Sequence, residues 1–247
     1  MKKWIAFVAL FISAYLVFVI QQLPISFVLS SLPLPNNVSL GSATGNVWQF
    51  ELTHVQVDDV RVNQVRVDLR EASLLTLDPT FDVQFGSPMA FGPEGSATIS
   101  GLATAMVVEH ANVMLPANDI AQRLPLLVPA QAKSDVTLQL NRFEMGKPVC
   151  QELDGQVEWR AAAVEVMEQH IELGDLSAKL ACDKGEIIAA ISPDNSLGLT
   201  FEAVISENFR VHGDGHIQPT AETPEAIKQS LPFLGKPDNQ GRYRLRF

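Results

Sequence analysis

The residues best placed to do chemistry in this 247-residue chain are Cys150 with Cys182, and the run His212-Gly-Asp-Gly-His216. In an oxidising compartment two thiols can close a disulfide. A closed loop of about 30 residues would stabilise the fold by roughly 3–4 kcal/mol in the chain-entropy model. Cys150 precedes the strand-like stretch Gly155–Trp159, and Cys182 ends another, Leu176–Ala181, which suits a cross-strand staple. The pair could also be two free buried thiols. A catalytic cysteine fits worse, because no histidine stands beside either one to act as its base.

The other histidines are His54, His110 and His170, and none of them is clustered. Gly213-Asp214-Gly215 has the composition of a hairpin turn, so His212 and His216 read as solvated turn residues. Two imidazoles and one carboxylate on a flexible tip make a poor metal site, and no metal is expected. Carboxylates pair at Asp58-Asp59 and at Glu165 with Glu168, but among 28 acidic residues these read as a solvated face. The chain lacks a Gly-x-Ser-x-Gly elbow, a Walker loop and a Gly-x-Gly-x-x-Gly turn. The sequence thus offers no catalytic residues and no cofactor-binding motif, and the expectation is a protein that is not an enzyme.

The elements that carry these residues follow from composition and period. With 18 basic and 28 acidic residues the net charge is −10, which argues against a nucleic-acid partner. A hydrophobic content of 47% excludes a disordered chain. Lys2 and Lys3 precede Trp4–Ile20, an unbroken apolar run, and no Asp, Glu, Lys or Arg occurs from there until Glu51. A cleaved signal has a shorter apolar region, roughly 7–15 residues, ending in a small-x-small site, and Tyr15–Leu23 offers none. The run therefore predicts an uncleaved transmembrane anchor over 4–23, with residues 1–3 as a cytoplasmic stub, by the positive-inside rule. Residues 24–40, rich in Ser and Pro, are expected to form an extended linker. Residues 41–247 are expected to form a periplasmic domain.

Beyond the linker the period is two. Val55 and Val57, then Val60 and Val62, then Val65, Val67 and Leu69 alternate with polar residues, shifting phase at Asp58-Asp59 and Asn63-Gln64. Similar alternation occurs in Val136–Leu140, Phe201–Ile205 and Tyr243-x-Leu245-x-Phe247, the last opposed by Arg242, Arg244 and Arg246. Turns are expected at Gly92–Gly95, Asp154-Gly155, Asp183–Gly185, Pro193–Asn195 and Gly213–Gly215. Two short helices are predicted. One is Ile120–Leu124, capped by Asn118 or Asp119 and ending before Pro125. The other is capped by Thr223, with Pro224 first and Gly235 as its stop. The fold class is mainly β: antiparallel sheet, curved or open-barrel-like, with one wet face. Gly45-Asn-Val-Trp48 and Gly155-Gln-Val-Glu-Trp159 echo one another, which would divide the domain into halves 41–149 and 150–247; Trp48 and Trp159 themselves read as packing residues on strands. The C-terminal alternation also mimics the last strand of an outer-membrane barrel, but an uncleaved anchor and 7% aromatics favour the inner membrane.

Taken together, the short stub and single anchor, Gly45-Asn-Val-Trp48 and Cys150-x-x-Leu-x-Gly155-x-Val-x-Trp159 resemble the type II secretion system protein N family. So do Gly174-x-Leu176 leading to Cys182-x-x-Gly185, and the closing Leu231-x-x-Leu-Gly235-x-Pro-Asp238-x-x-Gly241-Arg-Tyr243. The resemblance covers essentially the whole chain and brings no catalytic residues. It implies an inner-membrane accessory component of the machine that exports folded periplasmic proteins across the outer membrane. Its partners would be other inner-membrane secretion subunits, with the outer-membrane secretin as a further candidate, membrane lipid around the anchor, and self-association left open. The family is also distantly similar to AsmA-like membrane-anchored β-proteins, some of which handle lipids. A second class of function, a β-groove that binds or conducts an apolar ligand, therefore stands beside the scaffold. A long apolar groove open to solvent would favour it.

Overall fold

A computed structural model of the chain describes residues 2–31, 34–87, 92–102, 105–122, 130–166, 169–207 and 210–246. The chain starts with helix α1 (Lys2–Gln21). Side chains described on it include Trp4, Phe7, Phe11, Tyr15 and Phe18, and all of these are exposed. Among the described residues, no helix is long and apolar enough to cross a membrane. The expected extended linker instead opens with helix α2 (Ile25–Ser31). Pro24 supplies a preset φ just before it, the Ser30 and Ser31 hydroxyls donate to the Phe27 carbonyl, and Ile25 buries against the sheet.

Everything else is organised by one antiparallel sheet. Its strands are β1 (Val38–Leu40), β2 (Ala43–Gly45), β3 (Gln49–Val57), β4 (Val60–Leu69), β5 (Phe81–Phe85), β6 (Glu94–Ser100) and β7 (Val107–Pro116). They continue as β8 (Gln131–Lys133), β9 (Asp135–Met145), β10 (Cys150–Val166), β11 (Gln169–Asp183), β12 (Glu186–Ile191), β13 (Leu199–Ile205), β14 (Val211–Ile217) and β15 (Tyr243–Arg246). The order is β1-β3-β4-β5-β6-β7-β9-β10-β11-β12-β13-β14-β15, with β2 added to β3 and β8 to β10. At about 4.8 Å per strand the sheet is about 60 Å wide. Among the described residues its two edges, β1 and β15, do not pair, so it stays open rather than closing into a barrel. The boundary between residues 149 and 150 falls in the β9–β10 hairpin, inside the continuous sheet.

The expected phase shifts have two causes. Asp58-Asp59 is a two-residue hairpin turn between Val57 and Val60, with Asp58 at φ 51°. Gln64 takes φ 49° within β4, flipping the alternation between Val62 and Val65. Lys184-Gly185 is likewise a two-residue turn joining β11 to β12, both residues at positive φ as a type I′ turn requires. The expected turn Gly92–Gly95 is half borne out, since Gly92-Pro93 lies in the β5–β6 connection while Glu94-Gly95 opens β6. Two other expected turns are strand: Asp154-Gly155 lies in β10 beside a register shift, and Gly213-Asp214-Gly215 is the middle of β14. In each the glycine admits a neighbouring backbone: a Cβ on Gly155 would lie 2.7 Å from the Gln139 carbonyl, and on Gly95 and Gly215 it would strike the carbonyls of Asn112 and Thr200.

Helix α3 (Ala117–Ala121) begins after Pro116 and contains Asn118 and Asp119 rather than being capped by them; Leu124 and Pro125 lie outside the described residues. Helix α4 (Glu225–Ser230) has Pro224 at its cap position. Thr223, expected as that cap, is buried and donates its hydroxyl to the Ser196 carbonyl while accepting from the Thr220 N–H. A 3-10 turn, Leu231–Leu234, extends α4 and stops at Gly235 with φ 118°.

Two core clusters hold the sheet. Leu52, Val65 and Val67 pack with Phe50, Phe81 and Val83, under Leu29 of α2. Ala162, Leu173 and Leu197 pack with Trp159 and Leu176, under Ile227 of α4. The accessible surface is 16818 Å² for 27.0 kDa. A compact monomer of that mass exposes about 10,800 Å². The excess is the signature of a largely single-layered sheet with a projecting helix.

Candidate functional site

The register aligns side chains that sequence leaves scattered. Glu51 pairs with Arg66, Arg66 with Gln84, Gln84 with Ser96, and Ser96 with Asn112. The same row runs on through Gln139, Gln156 and Lys179, passes Ala190, and ends at Glu202, Asp214 and Arg246. Directly paired residues share a face, so one polar stripe crosses the sheet from β3 to β15. Glu51 and Arg66 are bridged at 3.4 Å, and the Gln156 amide donates to Gln139 at 2.9 Å. A concavity of about 460 Å³ opens at one end of the stripe, lined by Glu51, Arg66, Gln84 and Ser96; a second, also about 460 Å³, lies at the other end against Glu202, Asp214 and Arg246.

The adjacent rows face the opposite side. Val113, Leu138, Val157, Ala178 and Ile191 form one; Ala111, Leu140, Gly155, Leu180 and Ala189 form the other. Most of these side chains are half-buried; Leu29 of α2 packs on the cluster of β3–β5, and Ile227 of α4 on that of β10 and β11.

Polar anchors fix the strands. Arg142 meets Glu109 at 2.6 Å, Glu152 at 2.8 Å and Glu144 at 2.9 Å, and the carboxylates, Glu144 foremost, raise its pKa above the ordinary guanidinium value. Arg70 grips Asp82 and holds that carboxyl below its usual range, with a further bond from Thr98. Lys133, 2.8 Å from Glu165, does the same to Glu165. The sequence gives no sign of the Arg142 cluster, since Glu109 reaches it only through strand pairing.

The residues singled out by sequence fall as follows. Cys150 and Cys182 are bonded, with S–S 2.03 Å, joining the starts of the β9–β10 and β11–β12 hairpins. Gly185 holds that corner by accepting from the Val149 and Cys150 N–H groups, and a Cβ there would strike Pro148. His212 and His216 sit on one face of β14, four residues and so about 13 Å apart along an extended strand, too far to share an ion. Asp214 between them is taken by Arg244 at 2.8 Å. Among the described residues no group of three or more His, Cys, Asp or Glu is placed to hold a metal. Asp58 of the first carboxylate pair accepts from Asn37, and Glu168 of the second lies outside the described residues.

Trp159 packs in β10 and donates to the Lys133 carbonyl at 2.9 Å. Trp48 lies in a bend just before β3, so its motif and that of Trp159 occupy different local structures. Its buried indole N–H has no hydrogen-bond partner among the described residues.

Among the described residues, an N-terminal helix followed by one open antiparallel sheet, with a polar stripe on one face and apolar rows on the other, defines a single-sheet β-protein. Residues 36–246 match the family model described as type II secretion system (T2SS), protein N. The chain is 30% identical to type II secretion system protein N of Aeromonas hydrophila, across 100% of this chain and 98% of the relative. It is 27% identical to the protein of that name from Vibrio cholerae (98% and 97%) and 26% identical to that from Klebsiella pneumoniae (100% and 96%). The chain belongs to the type II secretion system protein N family. No solved structure matches it.

Proposed function

We propose that the chain is a non-enzymatic accessory component of the type II secretion system. In this reading residues 4–23 anchor it in the inner membrane with the N-terminus inside, and the sheet stands in the periplasm and contacts other secretion subunits. The observation that carries it is the open sheet itself, with a polar stripe across one face and two unpaired edges, in a chain of this family. An open edge strand can take up a partner strand, and a polar face with built-in ion pairs favours reversible protein contacts.

Support for the anchor comes from residues 4–23 read in full. They carry no charge, Lys2 and Lys3 precede them, and a 20-residue helix is about 30 Å long, the thickness of a bilayer core. A disulfide at Cys150–Cys182 suits an oxidising periplasm. The test is photo-crosslinking in the native host from probes at Glu51 and Gln156 on the stripe, Arg244 on the edge, and Phe11 in α1. Adducts to secretion subunits from the stripe or edge support the scaffold and name the partner; their absence from all sheet probes overturns it.

A second reading, an apolar-ligand groove, is favoured by the half-exposed rows Val113–Leu138–Val157 and Leu140–Leu180. Lipid adducts concentrated at Leu138 and Leu180, without protein adducts elsewhere on the sheet, would select it over the scaffold.

A further inference from the structure

We infer that the sheet carries a second membrane contact beside α1: the β4–β5 and β6–β7 loops, through Leu74, Leu75, Leu77 and Leu102, rest in the lipid interface. The inference rests on reading α1 as the anchor. Because the strands alternate in direction, the β2–β3, β4–β5 and β6–β7 connections all emerge at one end of the sheet. That is the end where α1 arrives. Pro24 bridges Asn46, the Val47 N–H donates to the Leu23 carbonyl, and Gln21 and Gln22 line one cleft with Glu71 and Leu74.

At this end Leu75 is 89% exposed, Leu77 91% and Leu102 57%. Single exposed leucines are ordinary, but several gathered where an apolar helix leaves the domain form a surface continuous with that helix. From β3 to β6 is three strand spacings, about 15 Å, so both loops lie close to the helix exit. They are tied together, since the Asp78 carboxylate accepts the Gly101 N–H at 2.9 Å.

The loop is also built to hold its leucines outward. Ser73 donates to the Arg70 carbonyl and accepts from the Thr80 N–H, while Thr76 donates to the Ser73 carbonyl. These polar bonds fix the 3-10 turn Glu71–Thr76. Leu77 sits at φ 58°, a conformation that a turn in water fills with Gly or Asn. An aliphatic side chain kept there and almost wholly exposed is explained by an apolar neighbour. The charged residues of the β4–β5 loop are Arg70, Glu71 and Asp78. Arg70 is taken by Asp82, and the two carboxylates cannot attract anionic headgroups, so the contact is apolar insertion rather than electrostatic adhesion.

The test uses the full chain in nanodiscs of phosphatidylethanolamine and phosphatidylglycerol, with a diazirine amino acid in place of Leu75, Leu77, Phe11 or Phe233. Phe233 is the control, being 91% exposed but on the β14–β15 connection at the opposite end of the sheet. Lipid adducts at 75 and 77 are expected to exceed those at 233 at least tenfold, with 11 also labelled. Labelling at 11 with 75 and 77 no higher than 233 overturns the loop contact and leaves the anchor standing. Absence of labelling at 11 overturns the anchor and the inference with it.

Discussion

Arg70 and Asp82 are joined by two parallel hydrogen bonds, Nε to Oδ2 at 2.6 Å and Nη2 to Oδ1 at 2.8 Å, across the connection that carries the exposed leucines. Asp82 has a depressed folded pKa, caused first by the Arg70 hydrogen bond. Its contribution to stability is therefore present above the unfolded value near 4 and is lost as pH falls through the lower folded value. Both groups are partly exposed, so Asp82→Asn should cost only about 1 kcal/mol at pH 7, lowering Tm by about 2–4 °C. The difference from wild type should shrink as pH falls below about 4 and through the lowered folded value, which thermal unfolding across pH checks.

Removing the disulfide should be the largest single loss. Its 32-residue separation corresponds to about 3–4 kcal/mol in the chain-entropy model. Cys150→Ser should lower the Tm of the oxidised protein to that of the reduced wild type, and the variant's Tm should not respond to reductant. An unchanged Tm under non-reducing conditions would show that the bond contributes nothing.

Gly155→Val places a branched side chain against the Gln139 carbonyl and the Leu140 side chain, which a Cβ would meet at 2.7 and 2.6 Å. Overpacking of this kind costs about 1–3 kcal/mol. Chemical denaturation should show a lower midpoint, and amides of β9 and β10 should exchange faster.

Asp238 has its pKa lowered to about 2, chiefly because it accepts the Arg242 backbone N–H, then its side chain. The turn that leads into β15 should thus hold above about pH 4 and loosen as pH falls toward 2. The protection of residues 243–246, taken relative to their intrinsic exchange rates, should fall over that interval in wild type. In Asp238→Asn the protection should be lower at about pH 5 and change less between about pH 4 and 2.

Trp159→Phe removes the indole donor from the Lys133 carbonyl, a bond that adds to the backbone pairing of β8 with β10. The expected cost is about 1 kcal/mol, measured by the denaturation midpoint, with proteolysis near residues 131–134 increasing.

What the sequence made legible was local. Val55–Leu69 betrays two strands by its alternation, and Asp58-Asp59 and Lys184-Gly185 betray hairpins because their turns use neighbours in sequence. Gly155 and Gly213–Gly215 misled because glycine serves equally where a turn needs positive φ and where a neighbouring strand's carbonyl presses close. Thr223 misled because its hydroxyl has a better use, bonding the carbonyl of Ser196 27 residues away rather than capping α4. The polar stripe was invisible for a deeper reason. Gln84 joins Ser96, and Asn112 joins Gln139, only through register, which pairing and turn length set together and one residue of slip would scramble. The family resemblance carried by Trp48, Cys150, Gly155 and Cys182 was legible because those residues hold special backbone or covalent positions.

The junction between α1 and the sheet has almost no slack: Leu23 is bonded to Val47, Pro24 bridges Asn46, and Ile25 and Leu29 are packed against the sheet within the next two turns. Helix and sheet are thereby coupled as a lever with its fulcrum near β3. In the anchored arrangement proposed above, a helix tilt of about 20° would sweep β15, about 53 Å from β3, through about 18 Å. In that arrangement the reach of β15 would be set by the angle at which the helix stands.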